Sequence, residues 1–265
     1  MKFAFLGAGK MAFSLIQGVL RAGVCEASEI IAACPEPELL ENLSDATGVN
    51  VVSTNAEAAA AAPVVVLCVK PSDAEAALAE ADVALHGKLL ISIAAGLTLE
   101  SLHNLAPACR IIRAMPNTAA LVGRSATAFA GDDQMTPEDE ATATALFSSI
   151  GAVFPVEEKH LNAVTGLSGS GPAYIYLVIE ALSDGGVAAG LPRKLALDLA
   201  IQTVAGAAEM AAATSEHPAV LREMVTSPGG TTMAGLAELE SRCVRFAFSE
   251  AVLAAAERAE ELAEG

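Results

Sequence analysis

The chain has 265 residues, of which 53% are hydrophobic, 18% charged and 4% aromatic, and its formal net charge is −17. The apolar share excludes a disordered chain. With no basic run longer than Arg193-Lys194, the negative charge also excludes nucleic acid or an anionic membrane surface as a partner.

The first residues, Lys2–Leu6, run straight into glycines and read as a buried strand, not a signal peptide, which places the protein in the cytoplasm. Glu29–Ala33, Val64–Val69, Leu89–Ile93 and Arg110–Ala114 read as further strands of a parallel sheet. Met11–Ala22, Asp73–Leu85 and Thr98–Leu105 read as the helices between them. Ser125–Ala130 and Ala152–Val156 are expected as added strands flanking a helix from Pro137 to Ile150, which Thr136 caps. This alternation predicts an α/β, doubly wound sheet over residues 1–156.

Beyond that point the strand signal stops. Pro172–Ala189, ending at Gly190, and Pro192–Ala213 carry helical periodicity, as do a short segment from Pro218 to about Val225 and the stretch Thr232–Ala263. Residues 157–265 therefore read as an all-α domain, apolar enough to bury part of itself against another subunit. The longest apolar run, Ala58–Val69, is 12 residues and broken by Pro63. A membrane span needs roughly 20, and none is expected.

Gly7-Ala8-Gly9-Lys10-Met11-Ala12 follows the first strand and opens a helix. Gly7 permits the tight turn, Gly9 lets a pyrophosphate approach the backbone, and Ala12 keeps the helix close to the sheet. The helix N-terminus then favours the anion. An NAD-type site places an acid at the end of the second strand. Here Ala32-Ala33-Cys34-Pro35 stands there, and Glu36 falls beyond it, which leans towards NADP although no arginine is at hand to grip a 2′-phosphate. Val69-Lys70-Pro71 and Ala94-Ala95-Gly96 end later strands, where such sheets bind ligands. Ser227-Pro228-Gly229-Gly230-Thr231-Thr232 offers exposed N–H groups and hydroxyls, read either as a carboxylate site or as an elaborate helix cap. The cysteines Cys25, Cys34, Cys68, Cys109 and Cys243 lack disulfide or zinc spacing, the four histidines lack ligand spacing, and no metal is expected.

At these residues the chain resembles the pyrroline-5-carboxylate reductase family. The resemblance rests on Leu6–Ala12, Val69-Lys70-Pro71, Arg113-Ala114-Met115-Pro116-Asn117, Thr165–Tyr174, Asp184-Gly185-Gly186-Val187, Gly190-Leu191-Pro192-Arg193 and Val225–Thr232, in the family's order. It implies a Rossmann-like domain followed by an all-α dimerisation domain, with dimers assembled into a decamer. The implied reaction is reduction of the C=N bond of 1-pyrroline-5-carboxylate to L-proline by NADPH, or NADH, as the last step of proline biosynthesis. By position, Leu6, Gly7, Ala8, Gly9, Lys10, Met11, Cys34, Asn55, Val69, Lys70, Pro71, Ala94, Ala95 and Gly96 line the cofactor. Asn55 supplies part of the 2′-phosphate contact. Glu158, Thr231 and Thr232 fall at the substrate end, Ser227, Gly229 and Gly230 complete the carboxylate site, and the Thr232 hydroxyl is the expected catalytic hydrogen-bond donor. Met224 stands where some relatives have a cofactor-contacting Asn. The alternatives are a reductase of larger cyclic imines, a β-hydroxyacid dehydrogenase, for which Lys159 is the only nearby lysine, and a non-catalytic dinucleotide-binding scaffold.

Overall fold

The computed structural model describes residues 1–264. Within it, contacts divide the chain into two compact units, Met1–Ser170 with the residues from Ala254 onward, and Gly171–Leu253.

The first unit is built on an eight-stranded sheet. Its strands are β1 (Phe3–Leu6), β2 (Ile30–Ala33), β3 (Asn50–Val52), β4 (Val64–Leu67), β5 (Leu89–Ser92), β6 (Arg110–Met115), β7 (Ser125–Gly131) and β8 (Gly151–Pro155). They lie in the order β3-β2-β1-β4-β5-β6-β7-β8, all neighbours parallel except β6 with β7. The chain moves outward from β1 in both directions, so the β1/β4 boundary is the point where a crevice opens at the carboxyl ends of the strands.

Strand periodicity sorts the core into two layers. Phe3 and Phe5, with Ile30, Ala32, Val66 and Ile91, face one side and pack with Leu15 and Ile16 of α1 (Lys10–Arg21) and Leu146 and Phe147 of α6 (Pro137–Ser148). Ala4 and Leu6, with Ile31, Ala33, Val65 and Leu67, face the other side. There they meet Ala58 and Ala59 of α3 (Asn55–Ala61), Ala77, Leu78 and Ala81 of α4 (Ala74–Leu85), and Leu102 of α5 (Leu99–Leu105). Alanine on this second face lets the helices approach closely.

Three elements were not expected from the sequence: α2 (Pro37–Thr47), β3 and α3. β3 has three residues, none of them buried, and α3 is seven residues inside an alanine run that has no periodicity to read. The apolar run at 58–69 proves to be the end of α3 followed by β4.

The compact unit also continues past residue 156. After a single turn at Glu158–His160, α7 (Leu161–Val164) runs into a π-helical turn at Thr165–Gly169. Leu161 is fully buried with Met115, Ala128 and Ala130 of β6 and β7, which holds this segment on the sheet.

The second unit contains α8 (Gly171–Ala188), α9 (Arg193–Thr214), α10 (Pro218–Met224), α11 (Thr231–Ser241) and the start of α12 (Val244–Glu264). Gly190, at φ +105°, stops α8. Leu191 N–H bonds to Gly186 O and Gly190 N–H to Val187 O, satisfying carbonyls that the helix end would otherwise strand. Helices α8 and α9 meet closely, and a β-carbon on Gly186 would lie 3.1 Å from Ala196 Cβ. The stretch Thr232–Ala263 is not one helix. It breaks at Arg242-Cys243, where Cys243 takes φ 56°, and the apolar spacing carries on across so short a break. By length and composition α9 is apolar enough to cross a membrane, and most of it is open at the surface of this unit.

Candidate active site

A cavity of about 350 Å3 opens at the carboxyl ends of β1, β2 and β4, lined by Gly7, Ala8, Gly9, Cys34, Asn55, Val69 and Lys70. Seven of the expected cofactor residues therefore meet in one place. Gly7 has φ +105°, and a β-carbon on it would lie 2.8 Å from Cys68 O, so both conformation and space demand glycine. Gly9 differs. A β-carbon there would meet nothing within 4 Å, so the room in front of it is available to a ligand. Gly9 is also the extended N-cap of α1 and supplies no side-chain cap. The first N–H groups of α1 are thus left for an anion, with the helix dipole behind them. Ala12, fully buried, holds the helix against the sheet.

Around this centre the remaining expected residues are distributed unevenly. Leu6 is the buried last residue of β1, Lys10 and Met11 open α1, and Pro71 opens a single turn after Lys70. Ala94, Ala95 and Gly96 follow β5 and do not line this cavity. Gly96, at φ +83°, instead lies against α12, where a β-carbon would come 3.2 Å from Leu262 O.

The cavity also gathers residues the sequence did not single out, among them Ser53, Cys68, Asp73 and Glu80. Glu36, which falls beyond the strand-end position of an NAD-type acid, is part of its wall. The turn after β2 brings it back, and Cys34 Sγ–H donates to its Oε2 at 2.7 Å. Burial, and then this hydrogen bond, raise the Cys34 thiol above its ordinary value, so it stays protonated. Asn55 is the first residue of α3, whose N-cap Thr54 accepts from Glu57 N–H, and its Nδ2 donates to Glu80 Oε2 at 2.6 Å. Lys70 is the only cation among the lining residues, and no arginine is present there.

A second cluster surrounds Glu158. Its Oε1 accepts from the backbone N–H of Leu99 at 2.6 Å and from Arg113 Nη1 at 3.1 Å, while Arg113 Nη2 donates to Asn162 Oδ1 at 3.1 Å. Arg113 is only 4% exposed, so these partners satisfy a buried charge. Close by, Asn117 Nδ2 donates to Ser168 O at 3.0 Å, joining the end of β6 to the π-helical turn. The Arg113–Asn117 motif and the start of the Thr165–Tyr174 motif, far apart in sequence, are thus joined within the first unit.

In the helical unit, Ser227–Thr232 links α10 to α11. Gly229 takes φ +67°, Gly230 N–H bonds to Ser227 O, and a β-carbon on Gly230 would collide with the Ser227 side chain. Gly230 is the N-cap of α11 and provides no side-chain cap. Of the two readings of this motif, the elaborate cap lacks its capping side chain. The first N–H groups of this 11-residue helix, beside Thr231 and Thr232, thus receive no hydrogen bond from a capping side chain. Met224 is exposed at the end of α10.

An open, mostly parallel sheet with a glycine turn and an uncapped helix N-terminus at its switch point defines a dinucleotide-binding protein of the doubly wound class. The family described as "NADP oxidoreductase coenzyme F420-dependent" matches residues 2–96, and "Pyrroline-5-carboxylate reductase dimerisation" matches residues 158–262. The chain is 47% identical to the pyrroline-5-carboxylate reductase of Arabidopsis thaliana over 99% of its own length and 96% of that protein. It is 43% identical to the enzyme of Methanosarcina acetivorans, over 98% and 97% respectively. The pyrroline carboxylate reductase of Plasmodium falciparum, solved with NADP bound, aligns with a TM-score of 0.90 at 32% identity, covering 99% of this chain and 98% of that one. The chain belongs to the pyrroline-5-carboxylate reductase family.

Proposed function

We propose that the protein reduces the ring C=N of 1-pyrroline-5-carboxylate to L-proline, the closing step of proline biosynthesis, with NADPH as the preferred coenzyme and NADH as an alternative. The observation that carries this is the uncapped N-terminus of α1 behind the Gly7 turn, in a chain that matches reductases of that name from end to end.

The residues at the cavity fit such a coenzyme. The N–H groups at Gly9, Lys10 and Met11 would hold the pyrophosphate. Leu6, Gly7, Ala8, Cys34, Asn55, Val69, Lys70 and Pro71 would line the rest of it, with Ala94, Ala95 and Gly96 at the reacting end. When bound, the coenzyme supplies a hydride. The substrate imine takes its proton from solvent before binding, since the iminium is the better electrophile. Hydride adds at C5, the C=N π pair passes to nitrogen, and the ring becomes a secondary amine. The chain's own task is to hold the ring. N–H groups over Ser227, Gly229, Gly230 and Thr231 bind the carboxylate, Thr232 Oγ1–H donates to the ring nitrogen as reduction gives it a lone pair and in the product amine, and Glu158 completes the substrate end. No strong general acid is needed, so positioning provides most of the rate.

Residues 1–156 form the cofactor domain in this reading, and 157–265 the dimerisation and substrate domain, in line with a family match that begins at 158. The protein works in the cytoplasm as a homodimer, with dimers assembled into a decamer. Purified protein mixed with NADPH and 1-pyrroline-5-carboxylate should convert both to NADP and L-proline in equal amounts. A folded, NADPH-binding protein that leaves this substrate untouched would move larger cyclic imines to the front. Thr232→Ala should lower kcat/KM about tenfold, the scale of one positioned hydrogen bond. An unchanged kcat/KM would remove Thr232 from the catalytic step.

A further inference from the structure

In a doubly wound site the adenosine ribose lies beside the end of the second strand. β3 is the sheet neighbour of β2, so Asn55, three residues after β3, stands beside Cys34 and Glu36 in the same cavity wall. A 2′-phosphate arriving there brings close to two negative charges and only acceptor oxygens. A 2′-hydroxyl brings one donor and can use an acceptor. The wall offers the hydroxyl acceptors and sets carboxylates against the phosphate. Its carboxylates are Glu36, Asp73 and Glu80, against Lys70 alone as a cation. The one neutral donor side chain expected to serve a phosphate, the Asn55 amide, is turned towards Glu80, with Nδ2 and Oε2 2.6 Å apart.

We propose that Glu80 sets the coenzyme selectivity of this reductase: by holding the Asn55 amide nitrogen and adding a negative charge beside the 2′ position, it restrains the preference for NADPH and keeps NADH usable. The proposal rests on the reading that Asn55 faces the coenzyme ribose. Glu80 acts through Asn55 and through its own field, and is a positioning residue, not a catalytic one. Because Glu80 is exposed on α4, its field is screened, which limits the effect to a few-fold and makes it fade with salt.

Two adenosine fragments isolate this end of the site, 2′,5′-ADP with the extra phosphate and 5′-ADP without it. Their dissociation constants, measured by calorimetry at low and high salt, would be compared in wild type, Glu80→Ala, Glu80→Gln and Asn55→Ala. The NADPH-to-NADH ratio of kcat/KM would be measured beside them. Glu80→Ala should tighten 2′,5′-ADP about fivefold, leave 5′-ADP within about twofold, and raise the kcat/KM ratio to match. Glu80→Gln, which still offers Asn55 an acceptor, should shift in the same direction by less, with the gain shrinking at high salt. If Asn55→Ala weakens 2′,5′-ADP while neither Glu80 variant changes the ratio, the proposal is overturned and the placement of Asn55 stands. Equal weakening of both fragments by Glu80→Ala would make Glu80 a structural residue and would also overturn it. Should adding Asn55→Ala to the Glu80→Ala variant leave its affinity for 2′,5′-ADP unchanged, the placement of Asn55 fails and the proposal with it.

Discussion

Gly7 and Gly9 are two residues apart in one motif, yet the protein needs them for different reasons. At Gly7 the demand is internal, from a left-handed φ and a carbonyl, Cys68 O, that leaves no room for a β-carbon. At Gly9 the demand comes from outside, since only a ligand would meet the added atom. Gly7→Ala should therefore cost roughly 1–3 kcal/mol of stability through backbone strain, visible as a lower Tm without coenzyme, and weaken NADPH as well. Gly9→Ala serves as the contrast and should leave the coenzyme-free Tm almost unchanged while still weakening NADPH. Equal Tm losses in both variants would erase the distinction. The glycine motif was legible in the sequence because both roles select the same residue. The acids at the rim were not. Glu36 reaches the cavity through the turn that follows β2, and Glu80 through the packing of α4 beside α3, neither of which spacing along the chain encodes.

At the scale of elements, α6 shows how a helix start can tie layers together. Thr136 and Asp139 form a reciprocal capping box, of which only the Thr136-Pro137 start was legible in the sequence. What the sequence could not show is the second use of Asp139, whose carboxylate also takes two hydrogen bonds from Arg110 of β6, at 2.7 and 3.0 Å. Burial pushes the Asp139 carboxyl up, but the bonds from Arg110 and Thr136 outweigh it and hold it at about 2. A carboxyl held low in the folded state stabilises above its unfolded value of about 4 and loses that contribution as the pH falls towards 2. Asp139→Asn should cost roughly 2 kcal/mol in urea unfolding at pH 7, the scale of a charged hydrogen bond and a cap. The gap between variant and wild type should narrow between pH 4 and pH 2. A gap independent of pH would show that the charge of Asp139 contributes nothing. The same scale explains which elements were missed. Long, periodic or well-capped segments such as α1, α6 and α8 announce themselves. β3 is too short and too exposed to carry a pattern, and α3 lies in a run of alanines that fits strand or helix equally.

For the whole molecule, the two units differ in how they bury their side chains. The sheet unit encloses two apolar layers. In Gly171–Leu253, by contrast, only Ser183, Ala196 and Ala200 among the described residues are buried. Tyr176, Leu177, Leu182, Leu195 and Leu199 all stand exposed, with Leu177 at 65%. A soluble monomer seldom leaves such a surface to water, and this unit lies within the region that matches a dimerisation family. The proposed homodimer would bury it against a second copy, which would also cover the open α9. In that proposed dimer folding and association are one equilibrium, and the melting temperature should rise with protein concentration. Leu177→Glu places a charge on the surface that the proposed dimer would dry, which costs several kcal/mol when no partner charge is supplied. It should yield monomers by sedimentation, with a Tm that is lower and no longer dependent on concentration. Leu177→Ala should only weaken the dimer, shifting the concentration dependence without abolishing it. A Leu177→Glu protein that remains dimeric with the wild-type concentration dependence would place the contact elsewhere on the helical unit.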